Sequence, residues 1–360
     1  MAVYTAINDP SVYFQTALYT GNASTLNVVN GGNANLQPDW VWLKNYGTSG
    51  KDYGIFDSTR GTTKMLSSNN NSAESTNATS LTSFNTDGFT LGADGGPNAN
   101  GSSNVAWQWK ANGGTTASNS SGSVTSTVQA NTTAGFSIVT YTATGSGDIT
   151  VGHGLGAAPE VILTKTRSVS YDWRVFISSD MGGGAGKSLQ LDGTGSLATN
   201  NSYPSPAPTS TVMTMGRGGD DNNNYANGQT LVSYCFRSIQ GYSKFGNYYG
   251  NGNADGPFVY TGFKPAWLMY RNIDRSENWI IVDNKRNTIN PVEGANLQAN
   301  ENDAQANETR WEEDFLSNGF KIRTNGSNNQ ASNSAGERIF YMTFASNPFV
   351  TSDGVPTTAR

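Results

Sequence analysis

The chain has 360 residues and a net charge of −5 (22 minus 27); only 14% of its residues are charged, whereas 42 are Gly and 11% are aromatic. A weakly acidic chain offers no electrostatic footprint for nucleic acid or an anionic membrane, and no apolar run approaches the roughly 18 residues that insert across a bilayer. A single cysteine, Cys235, excludes an internal disulfide, so packing must hold the fold.

Aromatic content this high separates the chain from a disordered one. Strands rich in Val, Ile, Thr, Tyr, Phe and Trp between Gly, Asn and Ser turns reconcile the numbers, so the composition is all-β. The first predicted strand is YFQTALYTG from Tyr13, running into a Gly turn. PDWVWLKN follows at Pro38 to Asn45, then DYGIFDSTR from Asp52. FNTDGF, Phe84 to Phe89, reads as a tight turn feeding a strand, because Asp-Gly tolerates positive φ. VAWQWKA from Val105 places Trp107 and Trp109 on one stripe of a strand. The stretch from 113 to 134 is rich in Gly, Ser, Thr and Asn and reads as a linker with room for one edge strand.

The same elements then return. FSIVTYTATG from Phe136, PEVILTKT from Pro159, DWRVFISSD from Asp172 and VSYCFRS from Val232 form a second set. YSKFGNYYG from Tyr242, PAWLMYRN from Pro265, NWIIVDNKR from Asn278, FLSNGF from Phe315 and FYMTFAS from Phe340 form a third. The prolines lie 121 (159 minus 38) and 106 (265 minus 159) residues apart, about the size of a small domain. An aromatic, Tyr53, Trp173 or Trp279, follows them by 15, 14 and 14 residues. The middle set lacks the Phe-x-x-x-Gly-Phe turn; TVMTMGRGGDD stands in its place. No stretch has helical periodicity, and WEEDFLSNGF near Trp311 has room for one short turn. The expected fold is therefore three tandem, related antiparallel β-sandwiches of jelly-roll or concanavalin-like form: residues 1–112, a linker 113–134, then 135–238 and 239–360. The octapeptide is apolar on both faces, as befits a central strand between two packed layers. Trp40, Trp42, Trp107, Ile162, Tyr234, Trp267 and Phe344 should be core.

GSVTSTVQANTTAGFSIVTYT from Gly122 and VGHGLGAAPEVIL from Val151 resemble segments of tail-fibre-like and other virion structural proteins of tailed bacteriophages, many from marine and cyanobacterial hosts. LYTGN, QPDWVWLK, FDSTRG and the ending NPFVTSDGVPTTAR resemble the same group. The resemblance covers most of the chain and implies a concanavalin-like or lamin-G-like sandwich. It brings no catalytic motif. What it implies is a virion protein assembled in the host cytoplasm, with other virion proteins and a host cell-surface glycan as partners. A homo-oligomer is expected, a trimer being one form, with neither nucleic acid nor membrane insertion.

Candidate chemistry is sparse. His153, the only histidine, sits in the turn VGHGLGAAP and is expected to bond backbone or face an interface. Cys235 lies on the stripe opposite Tyr234 and Phe236 and reads as a small packing residue. Glycan cleavage needs two placed carboxylates. Glu312, Glu313 and Asp314, with Glu308 nearby, have no counterpart in the other two sets and are expected to be solvated. Asp220, Asp221, Asn222 and Asn224 would suit Ca²⁺ by donor type but miss the twelve-residue loop spacing. With Tyr225 they also look like a sugar-binding loop, Asn and Asp bonding hydroxyls and the ring stacking on a pyranose. These five residues are the expected ligand site; no catalytic residue and no cofactor is expected. The expected function is a non-enzymatic tail-fibre or receptor-binding protein. A capsid-decorating or head-fibre protein is the first alternative, and a glycan depolymerase the second.

Overall fold

A computed structural model describes residues 4–199, 206–216, 224–292, 295–306, 311–325 and 330–357. The chain is all-β, and every pairing between its strands is antiparallel among the described residues. Among the described residues helix is confined to short turns at Pro10–Val12, Ser179–Met181 and Gln330–Asn333. No helix among the described residues is long and apolar enough to cross a membrane.

Three large sheets organise the molecule. The N-terminal sheet has the order Phe14–Thr20, Ser103–Trp109, Trp40–Asn45, Gly54–Asp57. The centre of the middle sheet runs Phe136–Thr142, Thr230–Phe236, Val161–Thr166, Arg174–Ile177. The C-terminal sheet begins Ser243–Tyr249, Arg338–Pro348, Phe263–Asn272, Ile280–Asp283. Their registers coincide. Trp40 pairs with Trp109 on one side and Asp57 on the other, Val161 with Phe236 and Ile177, and Trp267 with Phe344 and Asp283. A smaller two- or three-stranded sheet lies beside each. Leu26–Val28 and Leu81–Leu91 accompany the first, Ile149–Gly152 and Val212–Met215 the second, and Phe258–Tyr260 and Glu313–Ile322 the third.

Alternation along each octapeptide sends its side chains to two different cores. Val41 and Leu43 join Phe56, Leu81, Phe89 and Leu91 under the first small sheet. Ile162 packs with Val151, Met213 and Cys235, and Leu268 and Tyr270 with Val259, Phe315 and Phe320. The opposite faces, carrying Trp40 and Trp42, Val161 and Leu163, and Trp267 and Met269, meet in one shared cluster. Within it Trp40 stacks on Tyr234 at 4.7 Å, Trp109 meets Trp267 edge-on at 5.6 Å, and Phe236 meets Phe344 at 6.1 Å. All seven residues expected in the core are buried. Each unit thus has a core of its own beneath its small sheet and shares a second with the other two, a common core that the tandem reading did not include.

Buried cations tie the sheets in a cycle. Lys44 of the first donates to the Asn302 carbonyl at 3.0 Å, in the C-terminal part of the chain. Lys165 of the second donates to the Asn71 carbonyl at 3.0 Å, beside the first sheet. Arg271 of the third donates to the carbonyls of Gln190 and Gly193, beside the second, at 2.9 and 3.0 Å. These are the Lys and Arg at the seventh position of the repeated octapeptide. Indole donors follow the same path, Trp173 to the Ser67 carbonyl and Trp279 to that of Gln190.

The 113–134 stretch is not a linker. Ala117–Asn119 and Ser126–Asn131 extend the edge of the middle sheet, with Val128 opposite Val139. Its polar residues alternate with Val128 and Ala130, which pack on the middle core, so the composition of an edge hairpin resembled that of a spacer. Phe84 pairs with Phe89 and Phe315 with Phe320, as the two turn motifs require. Gly88 has φ +88, and a Cβ there would collide with the Val28 carbonyl. The short turn allowed near Trp311 is instead the strand Glu313–Leu316.

Candidate functional site

Of the five expected ligand residues, Asp220, Asp221 and Asn222 lie outside the described residues. Asn224 is fully buried. Its Oδ1 accepts from the Thr144 amide at 2.6 Å, and its Nδ2 donates to the Gly147 carbonyl at 2.8 Å. Its amide is therefore committed to the turn it closes, not offered to a ligand. Tyr225 is 38% exposed and meets Tyr171 edge-on at 5.9 Å.

Tyr171 ends a turn that the sequence reading passed over. The segment 167–172 lies against the Asn69–Thr79 loop of the first sheet, where the Ala73 amide donates to Ser170 Oγ and the Glu74 amide to the Arg167 carbonyl. Glu74 also takes two bonds from the Arg167 guanidinium and one from Arg60, each at 2.9 Å. Two arginines hold its carboxyl below the usual carboxylate range against the opposing pull of burial. Arg60 in turn pairs with buried Asp57, which accepts from the Tyr234 hydroxyl at 2.6 Å. Polar loops that are distant in sequence thus form one rim, anchored to the shared core.

Behind the rim lies a carboxyl pair. Asp172 accepts from Gln190 at 2.7 Å and from Asn71. Asp192 accepts from the Trp173 amide at 3.0 Å, and its Oδ2 has no hydrogen-bond partner. Burial first, and the charge of Asp172 second, push Asp192 up to about 7, against the Trp173 amide and Lys165. Burial lowers Lys165 to about 8, opposed by these two carboxylates.

The remaining candidates are structural in their contacts. The His153 ring accepts from the Leu155 amide at Nδ1, which leaves the proton on Nε2 to donate to the Thr209 carbonyl at 3.1 Å. Burial lowers its pKa. Cys235 is buried beside Met213, and burial pushes its thiol up to about 12. Glu308 lies outside the described residues. Glu313, expected to be solvated, is fully buried and accepts from the Tyr270 hydroxyl; burial raises its carboxyl to about 8. Asp314, on the opposite face of that strand, pairs with Arg323 at 3.4 Å. Neighbouring strand positions point apart, so these two carboxyls cannot bracket one glycosidic bond. Among the described residues no three His, Cys, Asp or Glu converge as a metal site.

A groove of about 560 Å³ opens where the chain passes from the middle to the C-terminal sheet. Tyr4 and Tyr260, 54% and 55% exposed, stand in its wall with Glu160, Asp180, Gln240 and Lys244. Glu160 follows the second octapeptide proline, and its Oε2 accepts from the Ser238 amide at 2.9 Å. Asp39, after the first proline, likewise accepts from the Ala111 and Gly113 amides. Sequence reasoning missed this groove because its residues come from six separated segments. The only signal was an acid after two of the three prolines.

No curated protein and no solved structure matches the chain. One family's sequence model does, over residues 9–348, a span that includes all three large sheets. The chain belongs to DUF7483, a family described as a domain of unknown function.

Proposed function

We propose that this chain is a non-enzymatic structural protein of a phage particle, of the tail-fibre or receptor-binding kind, made of three related two-layer sandwiches around one core. The observation that carries the reading is the pairing of a cross-tied body with polar, tyrosine-bearing loops at its rim. Lys44, Lys165 and Arg271 each bind carbonyls of a neighbouring unit, which stiffens the assembly without an internal disulfide. Binding groups are commonly carried by loops on such scaffolds. Tyr225 and Tyr171 meet edge-on at the rim, and the sequence resemblance to phage virion proteins points the same way. Host glycan is the expected target and other virion proteins are the attachment partners. Immunogold labelling of particles tests the assignment. Label on tail appendages, together with host-cell binding by the purified chain, is the expected result. Label confined to the head would favour capsid decoration, and release of reducing sugar from host polysaccharide would overturn the non-enzymatic reading.

A further inference from the structure

We propose that the groove between the middle and C-terminal sheets binds an uncharged pyranose oligosaccharide, Tyr260 and Tyr4 supplying ring faces and Glu160, Asp180, Gln240 and Lys244 the hydrogen bonds. This deepens the glycan-binding part of the function proposed above and moves it from the rim loops to a formed cavity. The volume, about 560 Å³, falls within the range of about 300–1,000 Å³ typical of small-molecule sites, and such sites favour junctions between structural units.

The lining fits a sugar in three respects. First, Lys244 donates to the Tyr260 carbonyl at 2.7 Å and lies 5.6 Å from that ring's centre. It fixes the ring from one side, and more than half of the side chain remains exposed to receive a pyranose. Second, the acceptors are placed but unsaturated. Glu160 Oε2 is held by the Ser238 amide and hydroxyl, whereas Oε1 has no hydrogen bond among the described residues. Gln240 uses its backbone carbonyl to bind the Ala6 amide and leaves its side-chain amide without a partner there. A carboxylate and an amide among the residues lining one cavity can bond neighbouring hydroxyls. Third, two carboxylates and one ammonium line the groove, in a chain of net charge −5, so an anionic sugar is repelled.

Saturation-transfer NMR on the full chain tests the site, with cellotriose, maltotriose and triacetylchitotriose as probes. Transfer to at least one of them is expected. Tyr260→Ala should reduce affinity for it at least tenfold, and Asp180→Asn severalfold, at an unchanged melting temperature. No transfer from the wild-type chain to any of the three overturns the proposal, as does equal transfer from Tyr260→Ala. The two readings separate cleanly. If no trisaccharide binds but particles carry label on their tail appendages, the groove is wrong and the particle assignment stands. If a trisaccharide binds but particles carry no label, the groove stands and the particle assignment fails.

Discussion

Asp192 occupies the place that Asn69 and Asn300 hold in the other two sheets. Each of the three accepts, through Oδ1, the amide of the aromatic that opens the neighbouring strand, Tyr53, Trp173 or Trp279. The two asparagines then donate through Nδ2, Asn69 to Asp52 Oδ1 and Asn300 to Asn278 Oδ1, both at 2.7 Å. Asp192 can supply that donor toward Asp172 only when protonated, which agrees with its raised pKa of about 7. A carboxyl whose folded pKa exceeds its unfolded value stabilises fully below the unfolded value, near 3.8, and loses that contribution as pH rises through about 7. Asp192→Asn should therefore match wild type near pH 4 and exceed it at pH 8 by about 1–3 kcal/mol in urea unfolding. Lys165, whose charge opposes the shift, keeps part of the carboxylate form stable and so limits the gain. An advantage that did not grow with pH would refute the protonated-carboxyl account.

Strand for strand, the sheets show how a polar contact between neighbours is kept or lost as a set. Asp57 receives the Tyr234 hydroxyl, and Asp283 receives the Trp107 indole N–H at 3.1 Å. Each of these acids also pairs with a buried arginine three residues later, Arg60 or Arg286. The corresponding third position is Ile177, the residue three later is Asp180, and the residue in register with Tyr234 and Trp107 is Met342. Acid, arginine and donor have all been replaced, which leaves an apolar contact in the same shared cluster. Ile177→Asp should consequently cost about 3–5 kcal/mol, since it buries a charge with neither partner. Tyr234→Phe, which strands Asp57 with Arg60 alone, should cost about 1–3 kcal/mol. Denaturant midpoints measure both, and a tolerated Ile177→Asp would break the correspondence. These elements were legible because repeated Pro, Trp and Lys positions carry both the two-face burial and the register. The 113–134 hairpin was not, because an edge strand with one apolar side shares its composition with a spacer. Tyr171, Asn71 and Glu74 were equally hard to join in advance, since their contacts span about a hundred residues of chain.

At the scale of the whole molecule, the question is whether three similar sheets make three stability units or one. Sequence periodicity argues for three, since each repeat has the length of a small domain. The packing argues for one. Trp42 of the first sheet meets Trp267 of the third, Trp40 meets Tyr234 and Phe236 of the second, and Phe14 stacks on Phe344 at 5.4 Å. Periodicity cannot report this, because a strand buried on both faces looks the same whether its second layer belongs to its own unit or to two others. The candidate groove was hidden for the same reason, as it exists only where units meet and borrows Tyr4 from the start of the chain. The physical consequence concerns cooperativity. Removing residues 239–360 would strip Trp267, Met269, Phe340 and Phe344 from the common cluster and uncover the large aromatic faces of Trp42, Trp107 and Trp109. It would also take away the Asn302 carbonyl that receives Lys44, a lysine that burial already lowers to about 8. An apolar face of that kind drives aggregation. The fragment 1–238 should bind a hydrophobic dye or precipitate, and the intact chain should unfold in one calorimetric transition whose enthalpy equals its van't Hoff value. Two or three resolved transitions, with a soluble fragment 1–238 that keeps its near-UV aromatic signal, would instead restore the picture of independent sandwiches and leave the cation ties as contacts between bodies that fold alone.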